Sequence, residues 1–262
     1  MPRSISELVA DNFSKDPEYY DRAAEAQKEV AETLAETIRS AASAAPAPPD
    51  KILEIGCGTG FLTKKLVETF PSAEIAATDI SPAMLAFCER AVGKRKALKN
   101  ARIDFILDDI SKTRLRGTFD LVASSFAFQW AGRLAEIAPT LSRLSRPGGL
   151  LSFSILMEGT FSDVRALFEK NDVRFPIPHL ASERELRDTL HLFENAKVER
   201  KILREKHPSL LEFLRHLKKV GAVNASGEMV PTAGLRRVLA KNDGQPVLAE
   251  YDVAIVNAER KP

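Results

Sequence analysis

Glu54, Gly56, Gly58 and Gly60 fall at every second position, with Cys57 among them, between an apolar run and a helical pattern that starts at Phe61. Asp79 closes the next apolar run, 19 residues after Gly60, and Asp109 follows the run after that. Glycines in a strand–turn–helix segment permit backbone angles that other residues resist, and without a Cβ they let a ligand lie directly on the main chain. A carboxylate at the end of the following strand can take both hydroxyls of a ribose, so the pattern predicts a nucleoside pocket. A dinucleotide fingerprint would put its third glycine at position 61, which is Phe61 here, so no pyrophosphate is expected. The other readings are a glycine turn with no ligand and, for Asp79, a helix cap. Ser81-Pro82 already supplies a cap followed by a proline at the first helical position.

Elements must hold these groups in place. Ala23, Ala26, Val30, Leu34 and Ile38 recur at helical spacing and predict one long amphipathic helix over 20–40. Pro46, Pro48 and Pro49 end it and form a stiff connector. Alternation follows, with strands expected over 51–55, 74–78, 101–107, 119–124 and 150–156 and helices over 61–69, 82–92 and 133–144. The segment Arg146-Pro147-Gly148-Gly149 reads as a turn. Such β/α alternation implies an α/β fold, a doubly wound, mostly parallel sheet with helices on both faces. Beyond residue 156, helices are expected over 162–170, 182–190 and 209–220, and strands over 197–206 and 248–257.

The 262 residues carry a net charge of +2, with 44% hydrophobic and 28% charged content, as a globular chain would. No stretch approaches the roughly 18 apolar residues of a membrane span, and no signal-peptide pattern opens the chain, so a cytoplasmic location is expected. Cys57 and Cys88 lack disulfide or metal spacing, and His179, His191, His207 and His216 are scattered, so no metal is expected. The charge is uneven: residues 200–241 hold ten Lys or Arg against three acids, a net of +7 that leaves the remainder at −5. That asymmetry suggests an acidic partner for the last third of the chain, or simply a solvated face.

Glycine at every second position after an acidic residue resembles motif I of the class I S-adenosylmethionine-dependent methyltransferases, a Rossmann-like family. The resemblance implies a seven-stranded sheet whose last two strands form an antiparallel edge. It further implies an N-terminal helical cap segment over 1–45, a methyltransferase domain over 46–262, and a helical lid insertion over about 207–246. In that family the glycine loop holds the amino-acid end of the cofactor. The implied cofactor contacts are Glu54, Gly56, Cys57, Gly58, Gly60, Asp79, Ile80, Met84, Asp109, Ile110 and Ser124. Asp79 would take the ribose and Asp109 the adenine amino group, with Asp108 as a register alternative. The backbone beside Ile80 and Ile110 would frame the ring against Met84.

Four further segments resemble one subfamily, the malonyl-acyl-carrier-protein O-methyltransferases of biotin synthesis. They are Asn12-Phe13-Ser14-Lys15 with Tyr20-Asp21, Ala24, Gln27 and Val30; Ser124-Ser125-Phe126-Ala127-Phe128-Gln129-Trp130; residues 214–222 with Asn224; and Tyr251-Asp252-Val253. The sequence departs from that pattern at Ala131-Gly132-Arg133 and by the extra residues Asp16-Pro17-Glu18. The resemblance implies methyl transfer to the free carboxylate of a malonyl thioester carried by acyl carrier protein or coenzyme A. A carboxylate with a pKa near ~4 is already the nucleophile at neutral pH and needs no base.

Tyr20 is the candidate to orient it through its hydroxyl, with Gln27, Phe128 and Trp130 as further acceptor contacts. Tyr20 could instead be a hydrophobic staple and Trp130 a core aromatic. Arg215, Lys218, Lys219 and Arg236 are the basic candidates for binding the carrier-borne acceptor. On the helix over 209–220, Leu210, Leu214, Leu217 and Val220 share the opposite face. No aromatic residues interleave with these charges, so nucleic acid is not the expected partner. Methylation of another small acid, and a cofactor-binding role without catalysis, remain open alternatives.

Overall fold

The computed structural model describes residues 4–94, 101–177, 179–222, 232–242 and 244–262. Asn224 and the rest of 223–231, within the expected insertion, lie outside the described residues. Seven strands form one sheet: β1 (Lys51–Ile55), β2 (Glu74–Asp79), β3 (Arg102–Leu107), β4 (Phe119–Ser125), β5 (Ser145–Leu156), β6 (Phe193–His207) and β7 (Val247–Arg260). Their order is β3-β2-β1-β4-β5-β7-β6. The pairs from β3 to β5 are parallel, whereas β7 runs antiparallel to both β5 and β6. After β1 the chain builds outward through β2 and β3, then returns to add β4 on β1's other side. The strand order therefore reverses between β1 and β4, the place where open α/β sheets bind ligands.

Helices cover both faces. The glycine loop leads into α4 (Phe61–Thr69), and Ser81 caps α5 (Pro82–Gly93) through its side chain. With α3 (Glu25–Ala44), these bury Leu34, Ile38, Leu62, Leu66 and Cys88 against one face of the sheet. On the other face α6 (Leu134–Leu144) buries Ile137, Leu141 and Leu144 with Phe128 and Phe153. α7 (Ser162–Glu169) and α8 (Glu183–Leu190) follow β5, and α9 (Leu210–Lys219) and α10 (Thr232–Lys241) lie between β6 and β7. No described helix is long and apolar enough to cross a membrane.

Four expectations need revision. The amino-terminal segment is three helices rather than one: α1 (Ile5–Phe13), opened by a Ser4/Glu7 capping box, α2 (Pro17–Ala23), capped by Asp16, and α3. The break falls at Ala24, which is completely buried with non-helical angles, so that α2 and Tyr20 turn across the sheet's ligand end. Arg146-Pro147-Gly148-Gly149 lies within β5 as an irregularity, since Phe119 pairs with Ser145 and Leu121 with Leu150. Gly148 supplies the left-handed angle there, at φ +69°. The last two strands extend beyond the ranges read from pattern, and β6, an edge strand, shows mostly charged side chains to solvent, which discourages pairing with another chain. Finally, Phe213 joins the buried face of α9 and its cap beside Leu210, Leu217 and Val220, while Leu214 is partly buried against the same core.

Candidate active site

The turn after β1 is anchored to the end of β2. The backbone N–H groups of Gly56 and Cys57 both donate to the Thr78 carbonyl at 2.8 Å, while Thr78 Oγ1 donates to the Glu54 carbonyl at 3.0 Å. Gly56, Gly58 and Gly60 have φ of +74°, +54° and +88°, angles at which a side chain is strained. Nothing stands within 4 Å of the Cβ position at Gly58, so a ligand can lie against its main chain.

Asp79 sits beside this turn. Its Oδ2 accepts from the Gly58 N–H and its Oδ1 from the Ser81 N–H, both at 2.8 Å. Burial pushes its pKa up to about 6, even though those N–H groups pull it down. Glu54 is 1% exposed, its Oε2 accepts no hydrogen bond among the described residues, and burial raises its pKa to about 7. At Asp109 burial would raise the value, but the Ser111 hydroxyl and N–H, with Ser6 and Lys112, hold it below the ordinary one. The Ser111 contacts are 2.7 Å from Oγ and 3.0 Å from N.

Two adjoining cavities open at the switch point. The first encloses about 680 Å³ of empty space, mouth included, and is lined by Tyr20, Gly56, Gly58, Asp79, Ile80, Met84, Asp108, Asp109, Ile110 and Trp130. The second, about 530 Å³ of empty space with its mouth included, is lined by Tyr20, Gln27, Gln129, Trp130, Thr160, Leu217 and Tyr251 among others. Phe13, Tyr20, Phe126 and Trp130 belong to both walls. The Phe13 ring meets Trp130 edge-on at 5.2 Å and Tyr20 at 6.1 Å, and Tyr20 stacks on Phe61 at 6.1 Å. Ser14 Oγ lies 2.8 Å from Ser81 Oγ, fastening the end of α1 to the cap of α5. Burial and then the Asp79 charge raise the Tyr20 pKa above its ordinary value, so the phenol stays protonated and can only donate or accept, not serve as a base at neutral pH.

Other candidates from the sequence stand behind these walls. Glu54, Cys57, Gly60 and Ser124 line neither cavity. Ser124 Oγ donates to the Ile55 carbonyl at 2.9 Å and braces the turn from beneath. Phe128 is fully buried against Phe153, with ring centroids 5.2 Å apart, in the core of the opposite face. Arg215, Lys218, Lys219 and Arg236 line neither cavity and lie on the exposed sides of α9 and α10. Arg215 pairs with Glu212, and Lys219 Nζ sits 4.9 Å from the centre of the Tyr19 ring.

The cavity residues not singled out from the sequence, chiefly Val9, Ser125, Phe126, Thr160 and Tyr251, come from four distant segments. Of these, Ser125, Phe126 and Tyr251 fall inside the segments that resemble the subfamily. His207 and His216, nine residues apart, converge on Glu205 with rings 5.3 Å apart, and Glu205 Oε2 accepts from Tyr251 at 3.1 Å.

The two raised carboxyls set a pH dependence for the ligand-free protein. With Glu54 at about 7 against 4.5, and Asp79 at about 6 against 3.8, the folded state holds more protons than the unfolded one between those values. Stability is then greatest below the unfolded values and is lost as pH rises through the folded ones. Urea unfolding of the ligand-free protein should show a loss of roughly 2–3 kcal/mol from pH 5 to pH 8 attributable to Glu54, since each tenfold change in acidity between the two states corresponds to about 1.4 kcal/mol. Glu54→Gln should flatten this slope, and an equal slope in that variant would mean that Glu54 ionises freely in the fold.

Residues 53–151 match a family model described as a methyltransferase domain. The malonyl-[acyl-carrier protein] O-methyltransferase of Magnetococcus marinus is 34% identical over 238 residues, covering 90% of this chain and 85% of that protein. The biotin biosynthesis bifunctional protein BioCD of Bordetella avium is 34% identical over 94% of this chain, which spans 51% of that longer protein. Among solved structures, magnesium protoporphyrin IX methyltransferase from Synechocystis PCC 6803, with bound S-adenosylmethionine, superposes with a TM-score of 0.59 at 14% identity over 99% of each chain, which shows a common class I methyltransferase fold. With that fold, and about a third of its residues shared over nearly its whole length, the chain belongs to the malonyl-[acyl-carrier protein] O-methyltransferase family.

Proposed function

We propose that the protein transfers the methyl group of S-adenosylmethionine to the free carboxylate of a malonyl thioester, giving a methyl ester for biotin synthesis. The observation that carries this reading is the pair of cavities sharing an aromatic wall, one equipped for a nucleoside and the other for a short acyl chain. In the first, the Asp79 carboxylate faces the ribose, Asp109 the adenine amino group, and Gly56 and Gly58 offer bare backbone to the amino-acid end. Ile80, Met84 and Ile110 clamp the base. Glu54, Cys57, Gly60 and Ser124 hold the turn in shape from behind. When bound, the cofactor supplies a methyl group already activated by positive sulfur.

The protein's own task is alignment and exclusion of water. Tyr20 stands at the boundary of both cavities, and its protonated hydroxyl donates to the acceptor carboxylate and holds one oxygen toward the first cavity. Gln27 adds a polar contact from α3, and Trp130 closes the wall. The second cavity is largely apolar, which suits release of a neutral ester. Residues 1–45 act as a helical cap on a methyltransferase domain of 46–262, and the helices between β6 and β7 serve as a lid. The outward Arg215, Lys218, Lys219 and Arg236 present positive charge to an acidic carrier protein, favouring encounter.

The test is transfer of labelled methyl to malonyl-acyl-carrier protein beside malonyl-coenzyme A, free malonate and acetyl-acyl-carrier protein. A base-labile ester on malonyl thioesters alone is expected, and label on free di- or tricarboxylates alone would point to a different acid. Tyr20→Phe should lower kcat about tenfold, the loss of one hydrogen bond of about 1–1.5 kcal/mol, while cofactor affinity changes less than threefold. An unchanged kcat would remove Tyr20 from the reaction.

A further inference from the structure

Gln129 is 5% exposed and lines the second cavity, behind the residues assigned to the acceptor carboxylate. Its Nε2 donates to the Phe126 carbonyl at 2.8 Å. The opposite amide orientation would set two oxygens against each other, so Oε1 is the atom left over. Among the described residues nothing donates to Oε1, although it is buried. The support beneath is rigid: Phe126 holds a left-handed φ of +52°, and its N–H donates to Ser154 Oγ at 3.1 Å. A buried acceptor without a donor is unfavourable by itself and calls for a ligand N–H or O–H.

Resting on the reading under Proposed function, we infer that Gln129 Oε1 accepts an amide N–H of the pantetheine arm that carries the acyl group, and so selects amide-bearing thioesters over free acids. A dicarboxylate ionised at neutral pH has no hydrogen to give and would be repelled by a carbonyl oxygen. A pantetheine thioester brings secondary amides on the chain beyond sulfur. The arm would enter along Ile177 and Leu180, which line both this cavity and an outer recess beside Arg165 and Arg174. A site built to hydrogen-bond a substrate N–H discriminates strongly against an analogue lacking it, because its own polar group is then left unpaired.

The test compares two small acceptors, S-malonyl-N-acetylcysteamine, which has one amide, and the S-malonyl thioester of a simple alkyl thiol of similar length. The wild-type enzyme should favour the amide compound at least tenfold in kcat/KM. Gln129→Met should lose about tenfold on the amide compound and stay within about threefold on the alkyl one, so the preference collapses. The sole tryptophan, Trp130, lines the same cavity, and its fluorescence should report the same loss of affinity in a protein saturated with S-adenosylhomocysteine, where no turnover occurs. Equal losses on both thioesters would show that Gln129 merely props Phe126 and would overturn the inference, as would a wild type indifferent to the amide. If the wild type binds S-adenosylhomocysteine but methylates neither these thioesters nor malonyl-acyl-carrier protein, the underlying reading fails and takes this one with it.

Discussion

Asp79→Ala is expected to weaken S-adenosylmethionine binding by two to three orders of magnitude, measured by calorimetry on the ligand-free protein. The carboxylate is assigned to two ribose hydroxyls, and hydrogen bonds to a charged group contribute about 1.5–3 kcal/mol each. The same oxygens also organise the site, since Gly58 N–H and Ser81 N–H both donate to them. Truncation therefore frees the turn as well as losing the contact. Asp79→Asn should fall between, because one amide oxygen can replace only one of the two acceptors while its NH₂ confronts an N–H. A change of less than about fivefold in the alanine variant would place the ribose elsewhere.

Gly56→Ala is expected to reduce kcat/KM at least a hundredfold and to lower the melting temperature by several degrees. A Cβ on Gly56 would lie 2.3 Å from the Ala127 Cβ, and the residue sits at φ +74°. Left-handed backbone alone is unfavourable by roughly 1–2 kcal/mol, and overpacking adds about 1–3 kcal/mol. Relief requires the glycine turn and the segment after β4 to part, and those two segments line the first cavity. Gly148→Ala separates the two effects, since Gly148 has φ +69° but nothing within 4 Å of the new Cβ. That variant should lose stability and keep its activity. If Gly56→Ala behaves like Gly148→Ala, the tight approach to Ala127 has no functional weight.

What the sequence revealed, and what it hid, follows from the range of the interactions involved. The turn from Glu54 to Gly60, and Asp79 after it, are legible because a strand end, a glycine and a carboxylate act within a few residues of one another. Helix α5 is legible for the same reason, through Ser81 and Pro82. The break at Ala24 is not, because Ala23 and Ala26 keep helical spacing across it and only packing of the completely buried Ala24 decides otherwise. Phe128 and Trp130 look alike as aromatics two positions apart, yet a short helical turn sends Phe128 into the core and leaves Trp130 on the cavity wall. The second cavity was the least readable part. Gln27, Gln129, Thr160, Leu217 and Tyr251 come from five elements or loops, and nothing local in the chain announces that they meet.

Phe13, Tyr20, Phe126 and Trp130 face both chambers. On the reading proposed above, a partition of four shared side chains would couple the two ligands, and any factor by which an occupant of one chamber changes affinity in the other would be returned in equal measure. An inhibitor shaped for the acyl chamber would therefore have no single affinity. Its strength would follow the cell's ratio of methylated to spent cofactor.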